Sequence, residues 1–292
     1  MSFTQEEITT QPSCWLRAAD AVEEHGGALP RPGEDVAVVG CGTSWFMAQS
    51  YAALRESAGE GRTDAFAASE FPPGRHYDRV VALTRSGTTT EVLDLLARVR
   101  GDSVTTAITG DDATPVGQAA DHVVALPFAD ERSVVQTRFA TTALALLRTH
   151  LGEDLTGAVE DAKQALVEPL DPRAVSAAQF TFLGSGWTCG LAEEAALKMR
   201  EAAGAWTESY PAMEYRHGPI SIAAPGRVVW VFGPVPPGLS RDIAHTGATL
   251  VHSPRDPLAD LVRAQRLAVA VAEAAGLDPD RPRNLTRSVV LA

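Results

Sequence analysis

The sequence predicts an α/β protein built on a mostly parallel sheet, followed by a second and shorter unit of the same kind. Three observations carry that expectation. Apolar runs at residues 36–39, 79–83, 104–108 and 122–126 alternate with helix-like segments at the spacing of βαβ units. The first two runs end in turns rich in glycine and hydroxyls, Gly40-Cys41-Gly42-Thr43-Ser44 and Thr84-Arg85-Ser86-Gly87-Thr88-Thr89-Thr90. The pattern then restarts at residues 180–183, where Gly184-Ser185-Gly186-Trp187 echoes the first turn and suggests an internal duplication.

Taken in order, residues 13–25 read as a lead-in helix, with Pro12 and Ser13 as start signals and Gly26-Gly27 as a stop. The run at 36–39 is unbroken by polar residues, as expected of a strand buried on both faces. A helix follows over 43–57, then a second strand over 63–68, a third over 79–83, and a helix over 90–99 with Thr90 as its N-cap. The fourth strand is 104–108, the fifth 122–126, and helices are expected over 134–150 and 155–168. Glu168-Pro169-Leu170-Asp171-Pro172 marks the boundary, giving domains 1–168 and 169–292. Beyond it come a strand at 180–183, a helix over 188–203 and a strand at 228–232.

The two glycine turns are where open α/β sheets bind ligands, because amides at a helix N-terminus and small hydroxyls together accept an anion. Two such turns on one sheet point to a phosphate or sugar phosphate. In the second half the matching loop is Gly233-Pro234-Val235-Pro236-Pro237-Gly238, poor in N–H groups and without hydroxyls, so one phosphate site is expected, in the first half. A dinucleotide reading fails because Thr43-Ser44-Trp45 follows Gly42 without a third glycine.

A net charge of −12 argues against broad nucleic-acid binding, and no apolar run approaches the ~20 residues that span a bilayer. The N-terminus has no basic start or apolar core of a secretory signal, so a cytoplasmic location is expected. Cys14, Cys41 and Cys189 are too scattered for a disulfide framework or zinc site, and no metal or cofactor constellation stands out. Cys41 reads as a small buried filler. Among 25 basic residues only Lys163 and Lys198 are lysine, which singles out positions where an amine that can lose its proton is wanted.

On the helix over 188–203, Glu194, Lys198 and Glu201 share a face. Taken alone they read as a solvated ion-pair ladder. His217, just before the Gly218-Pro219 break, sits where an imidazole reaches a ligand, although a lone loop histidine is more often structural.

The order of these motifs, together with Val134-Val135-Gln136-Thr137-Arg138 and Pro282-Arg283-Asn284-Leu285-Thr286-Arg287-Ser288-Val289, resembles the tandem sugar-isomerase (SIS) domains of glucosamine-6-phosphate synthase. The resemblance runs from about residue 15 to the end. It implies two three-layer αβα units, flavodoxin-like or Rossmann-like, and a sugar phosphate as ligand. The phosphate pocket of the family would fall on Thr84, Arg85, Ser86 and Thr89, with Gly87 in the same loop. Thr43, Ser44 and Gln136 would line the sugar, with Cys41 and Gly42 in their turn. Glu201 matches the carboxylate that carries a proton between C1 and C2, and Lys198 a lysine beside it. His217 matches a ring-opening histidine donated across a homodimer interface.

Two departures shape the functional expectation. The glutamine-using enzymes of the family begin with a domain bearing an N-terminal cysteine nucleophile, whereas this chain starts Met1-Ser2, so ammonia release or plain isomerisation is expected instead of glutamine-dependent synthesis. The Schiff-base lysine of the family aligns with Arg287, and a guanidinium cannot form an imine, so Arg287 either serves the catalytic set by its positive charge alone or marks the loss of that chemistry. The preferred reading is an amino-sugar-phosphate deaminase–isomerase. The alternatives are a fructosamine-phosphate deglycase and a sugar-phosphate-binding regulator without catalysis.

Overall fold

The computed structural model describes residues 2–291. The chain forms two compact units: Ser13–Leu155 with the terminal segment from Thr286, and Thr156–Leu285 with the N-terminal residues up to Pro12. Helix α1 (Phe3–His25) runs through the division between them.

In the first unit the elements are β1 (Val36–Gly40), α2 (Thr43–Ser57), β2 (Thr63–Ala67), β3 (Arg79–Thr84), α3 (Thr90–Val99), β4 (Val104–Thr109), α4 (Val116–Ala119), β5 (His122–Ala125) and α5 (Arg138–His150). All five strands are parallel, in the order β2-β1-β3-β4-β5. Because successive side chains point to opposite faces, β1 and β3 divide their apolar residues between two layers. Ala37, Val39, Val80 and Ala82 pack with Val92, Leu95 and Leu96 of α3, while α2 and α5 pack together in this unit. Strands covered on both faces explain why these runs are apolar throughout.

In the second unit the elements are α6 (Thr156–Val167), α7 (Pro172–Val175), β6 (Gln179–Gly184), α8 (Thr188–Ala203), β7 (Trp206–Pro211), β8 (Arg227–Val231), α9 (Leu239–Thr246), β9 (Thr249–His252) and α10 (Pro257–Ala274). The four strands are parallel in the order β7-β6-β8-β9, matching the first four of the other sheet. Leu183, Val229 and Val231 pack with Leu239 and Ile243 of α9. At the alternate positions Phe182 stacks with Phe232, Trp230 lies tilted against both rings, and the Trp230 indole N–H donates to Asp260 Oδ2 on α10 at 2.8 Å. Helix α6, expected from sequence on the other side of the 168 boundary, packs on α10.

Two helix starts differ from the expectation, and one N-cap does. Helix α1 begins at Phe3, not at 13, because the Asp280 carboxylate accepts from the amides of Phe3 (2.7 Å) and Thr4 (2.9 Å). It continues through Pro12, which has no N–H for the carbonyl of Ile8; the Gln11 side-chain amide donates to that carbonyl instead, at 3.3 Å. Helix α5 begins at Arg138, where Glu131 Oε1 accepts from the amides of Thr137 and Arg138, both at 2.7 Å. Helix α3 does begin at Thr90, but its N-cap is Thr89 and no side chain caps it. The sequence reading assigned no element to β7, α9, β9 or α10.

Candidate active site

In the first unit, β1 and β3 are neighbours, and the chain leaves them toward opposite sides of the sheet, so their carboxyl ends flank the crevice where such sheets bind ligands. Gly40 lets α2 come close: a Cβ there would lie 2.7 Å from the Ser44 backbone carbonyl carbon. Gly42 takes a positive φ of 53°, and Thr43 and Ser44 follow, both buried. After β3, Thr84, Arg85 and Ser86 are buried and Thr89 is half-buried. Gly87 turns the loop at φ 62°, where a Cβ would sit 1.9 Å from Thr114 Oγ1. Burial pushes the Cys41 thiol up to about 11, with Glu91 adding to it, so the thiol is protonated at neutral pH.

Two of the side chains expected to bind substrate hold polar atoms buried without a protein partner: Thr84 Oγ1 and Gln136 Oε1. Buried polar atoms are nearly always satisfied, and these two belong to a wider set of buried side-chain atoms without a partner among the described residues, Ser50 Oγ and Tyr51 Oη among them. Arg85 is used otherwise. One terminal nitrogen donates to the Ser133 carbonyl at 2.9 Å and the other to the Arg287 carbonyl.

The terminal segment lies on this loop. Thr88 Oγ1 donates to Ser288 Oγ at 3.0 Å, the Thr90 amide to the Val289 carbonyl at 3.2 Å, and the Leu291 amide to Thr90 Oγ1 at 2.9 Å. The Arg287 side chain points back to the body of the unit, donating to the Glu131 carbonyl at 3.0 Å and to Asp130 Oδ1 at 2.6 Å. The sequence reading missed Asp130, Glu131 and Ser133. Their one local signal is an acidic pair just ahead of the Gln136 motif.

In the second unit, Gly184 repeats the close approach of Gly40, since a Cβ there would meet the Thr188 carbonyl at 2.2 Å. Helix α8 then carries its charges inward. Glu194 and Lys198 are 0% and 1% exposed, so the reading of a solvated ladder fails. Lys198 Nζ lies 3.6 Å from Glu194 Oε1 and bonds Glu201 Oε2 directly. The side chain of Glu201 is 18% exposed. Glu201 lines a cavity of about 380 Å³ with Arg200, Gly204, Leu277, Pro282 and Arg283. A carboxylate held by an ammonium and open to a cavity is placed to exchange a proton with a bound molecule. His217 ends a short turn, Glu214–His217, and is exposed. The loop after β8 bonds within its own unit, where Arg216 Nη2 donates to the Pro237 carbonyl at 2.6 Å.

Among the described residues no group of His, Cys, Asp or Glu is arranged to hold a metal ion. No helix among them is long and apolar enough to cross a membrane.

The SIS domain family model matches residues 33–149, the stretch that holds both hydroxyl turns and Gln136. Residues 33–149 are a SIS domain. The chain is also homologous to the isomerase part of glutamine–fructose-6-phosphate aminotransferases (isomerizing). That of Methanothermobacter thermautotrophicus is 25% identical over 99% of this chain and 57% of its own length. That of a Nostoc species is 28% identical over 88% and 52%. The chain thus spans about half the length of the curated relatives it matches. Among solved structures, glucosamine-6-phosphate deaminase from Thermotoga maritima superposes with a TM-score of 0.83 at 26% identity, covering 99% of this chain and 100% of that one. The fold is shared with tagatose-6-phosphate ketose/aldose isomerase from Escherichia coli, with a TM-score of 0.80, 20% identity and coverage of 96% and 95%.

Proposed function

We propose that the protein is an amino-sugar-phosphate deaminase–isomerase built from two SIS units, one for each sheet. The observation that carries this reading is the buried Glu194–Lys198–Glu201 set, with Glu201 open to a cavity. Burying Glu194 and Lys198 on one helix face is costly, and a protein that only sensed sugar phosphates would gain nothing from it. The phosphate is held by Thr84, Ser86, Thr89 and the amides of their loop, and Thr43, Ser44 and Gln136 bind the sugar. The orphaned Thr84 and Gln136 atoms support this assignment.

In the open-chain 2-amino aldose phosphate, Glu201 removes the C2 proton to leave an enolamine, with Lys198 stabilising the carboxylate's charge. Return of the proton at C1 gives a ketimine, and water then replaces the imine nitrogen, releasing ammonia and the ketose phosphate. His217 opens the sugar ring in a neighbouring subunit; its exposure is what supports this role.

A second reading, a binding regulator, is favoured by one observation: the Arg287 guanidinium is engaged by Asp130 and by the Glu131 carbonyl. Incubation with glucosamine 6-phosphate and a panel of hexose phosphates separates the two. The enzyme reading expects ketose phosphate and stoichiometric ammonia from an amino-sugar phosphate. Ligand-induced thermal stabilisation with no product from any member would establish the regulator.

A further inference from the structure

The hydroxyl loop, the stretch 130–133 and the terminal segment are joined by two guanidiniums that answer one another. Arg85 reaches from the loop to the carbonyls of Ser133 and Arg287. Arg287 reaches from the terminal segment to the Asp130 carboxylate and the Glu131 carbonyl. Arg85 is buried, so its bonds form where water competes less than on an open surface, whereas the Arg287 and Asp130 side chains are 41% and 35% exposed. Each guanidinium donates from separate nitrogens to separate partners, which the single point of a lysine ammonium reproduces poorly. Beyond this junction the segment is stitched onto the loop at Thr88 and Thr90, and the chain leading away from Ser133 carries Gln136.

We infer that Arg287 is a positioning residue: paired with Arg85, it fastens the terminal segment across the hydroxyl loop and so fixes where Ser86, Thr89 and Gln136 present their donors. In this chain position 287 therefore serves shape in place of covalent chemistry. Arg85 in turn places its two terminal nitrogens on the Ser133 and Arg287 carbonyls. The effect on substrate affinity rests on the phosphosugar reading; the fastening itself does not.

Hydrogen exchange at the Thr90 and Leu291 amides, measured on the full chain without ligand, tests the fastening. Arg287→Ala and Asp130→Asn are each expected to speed exchange at both amides about fivefold or more, with the melting temperature little changed. Arg287→Lys should fall between these and the wild type. Unchanged exchange in Arg287→Ala would overturn the inference. With a sugar phosphate that is turned over, the loss in Arg287→Ala is expected in KM, about tenfold, more than in kcat. A kcat loss of about a hundredfold at unchanged KM would overturn the inference and make Arg287 catalytic. If no sugar phosphate binds the wild-type chain, the phosphosugar reading fails while the exchange measurement still decides the fastening.

Discussion

Helices α2 and α8 each leave an inner strand through a Gly-x-Gly turn, with the strand's last glycine pressed against helix backbone. Counted from the first residue of each helix, Gln49, Ala53 and Glu56 stand where α8 has Glu194, Lys198 and Glu201. In α2 the third of these is structural, since Glu56 accepts from the Thr63 amide at 2.9 Å. In α8 the same three places hold two buried charges and a third, Glu201, that lines a cavity. The loops after the third strand of each order differ in the opposite sense, hydroxyls at 84–90 and prolines at 234–237. Two sheets that share a four-strand order thus carry different side chains at matching helix and loop positions. The frame sets where a group can point, and the residue sets what it does there.

The largest effect that would sharpen this comparison is on stability. Lys198→Met leaves two carboxylates without their ammonium, one of them fully buried, and is expected to lower the unfolding free energy by about 3–5 kcal/mol. Ala53→Met at the matching place on α2 should cost under about 1 kcal/mol. Urea denaturation measures both, and equal losses would break the contrast between the helices.

The turns come next. Gly87→Ala meets both a positive φ and a Cβ clash with Thr114, and is expected to cost about 2–3 kcal/mol. Gly186→Ala has φ 54° but open space around the new Cβ, so about 1 kcal/mol is expected. Thermal or urea melts that rank the two the other way would show that the hydroxyl loop is not the more tightly built turn.

Thr84→Val removes a hydroxyl that has no protein partner, so stability should stay within about 0.5 kcal/mol. Affinity for sugar phosphates, read by thermal shift or calorimetry, should fall about tenfold. Lost stability with unaltered affinity would assign that hydroxyl to the fold instead of the ligand.

The smallest effect is a silence. Burial raises the thiols of Cys14, Cys41 and Cys189 above their ordinary value. A raised thiol holds less thiolate at a given pH, and Cys41, at about 11, is roughly one part in a thousand thiolate at pH 8. Iodoacetamide at pH 8 should therefore label the native protein slowly at all three, and rapidly in urea. Fast native labelling at Cys41 would mean that its turn is open.

What could be read from the sequence follows from the range of each interaction. Strands β1, β3 and β4 were legible because a strand covered on both faces writes its burial into every residue. The hydroxyl turns were legible because glycine and threonine stand next to the atoms they serve. The start of α1 was not, since its cap, Asp280, lies at the other end of the chain. Nor was the burial of Glu194 and Lys198, because an i, i+4 spacing is the same whether the face meets water or the protein interior. Arg287 was legible as a departure from the family lysine, but its partners were not, because the carboxylate of Asp130 and the carbonyl of Glu131 arrive from elsewhere in the fold.

The central claim is that the α8 carboxylate moves the proton while the hydroxyl loop only holds the substrate. Glu201→Gln keeps the size and the hydrogen-bonding oxygen but cannot act as a base. Turnover of the preferred amino-sugar phosphate is expected to fall about a thousandfold, while the thermal shift produced by the same ligand stays within experimental error of wild type. Ammonia release within about tenfold of wild type from that variant would contradict the account.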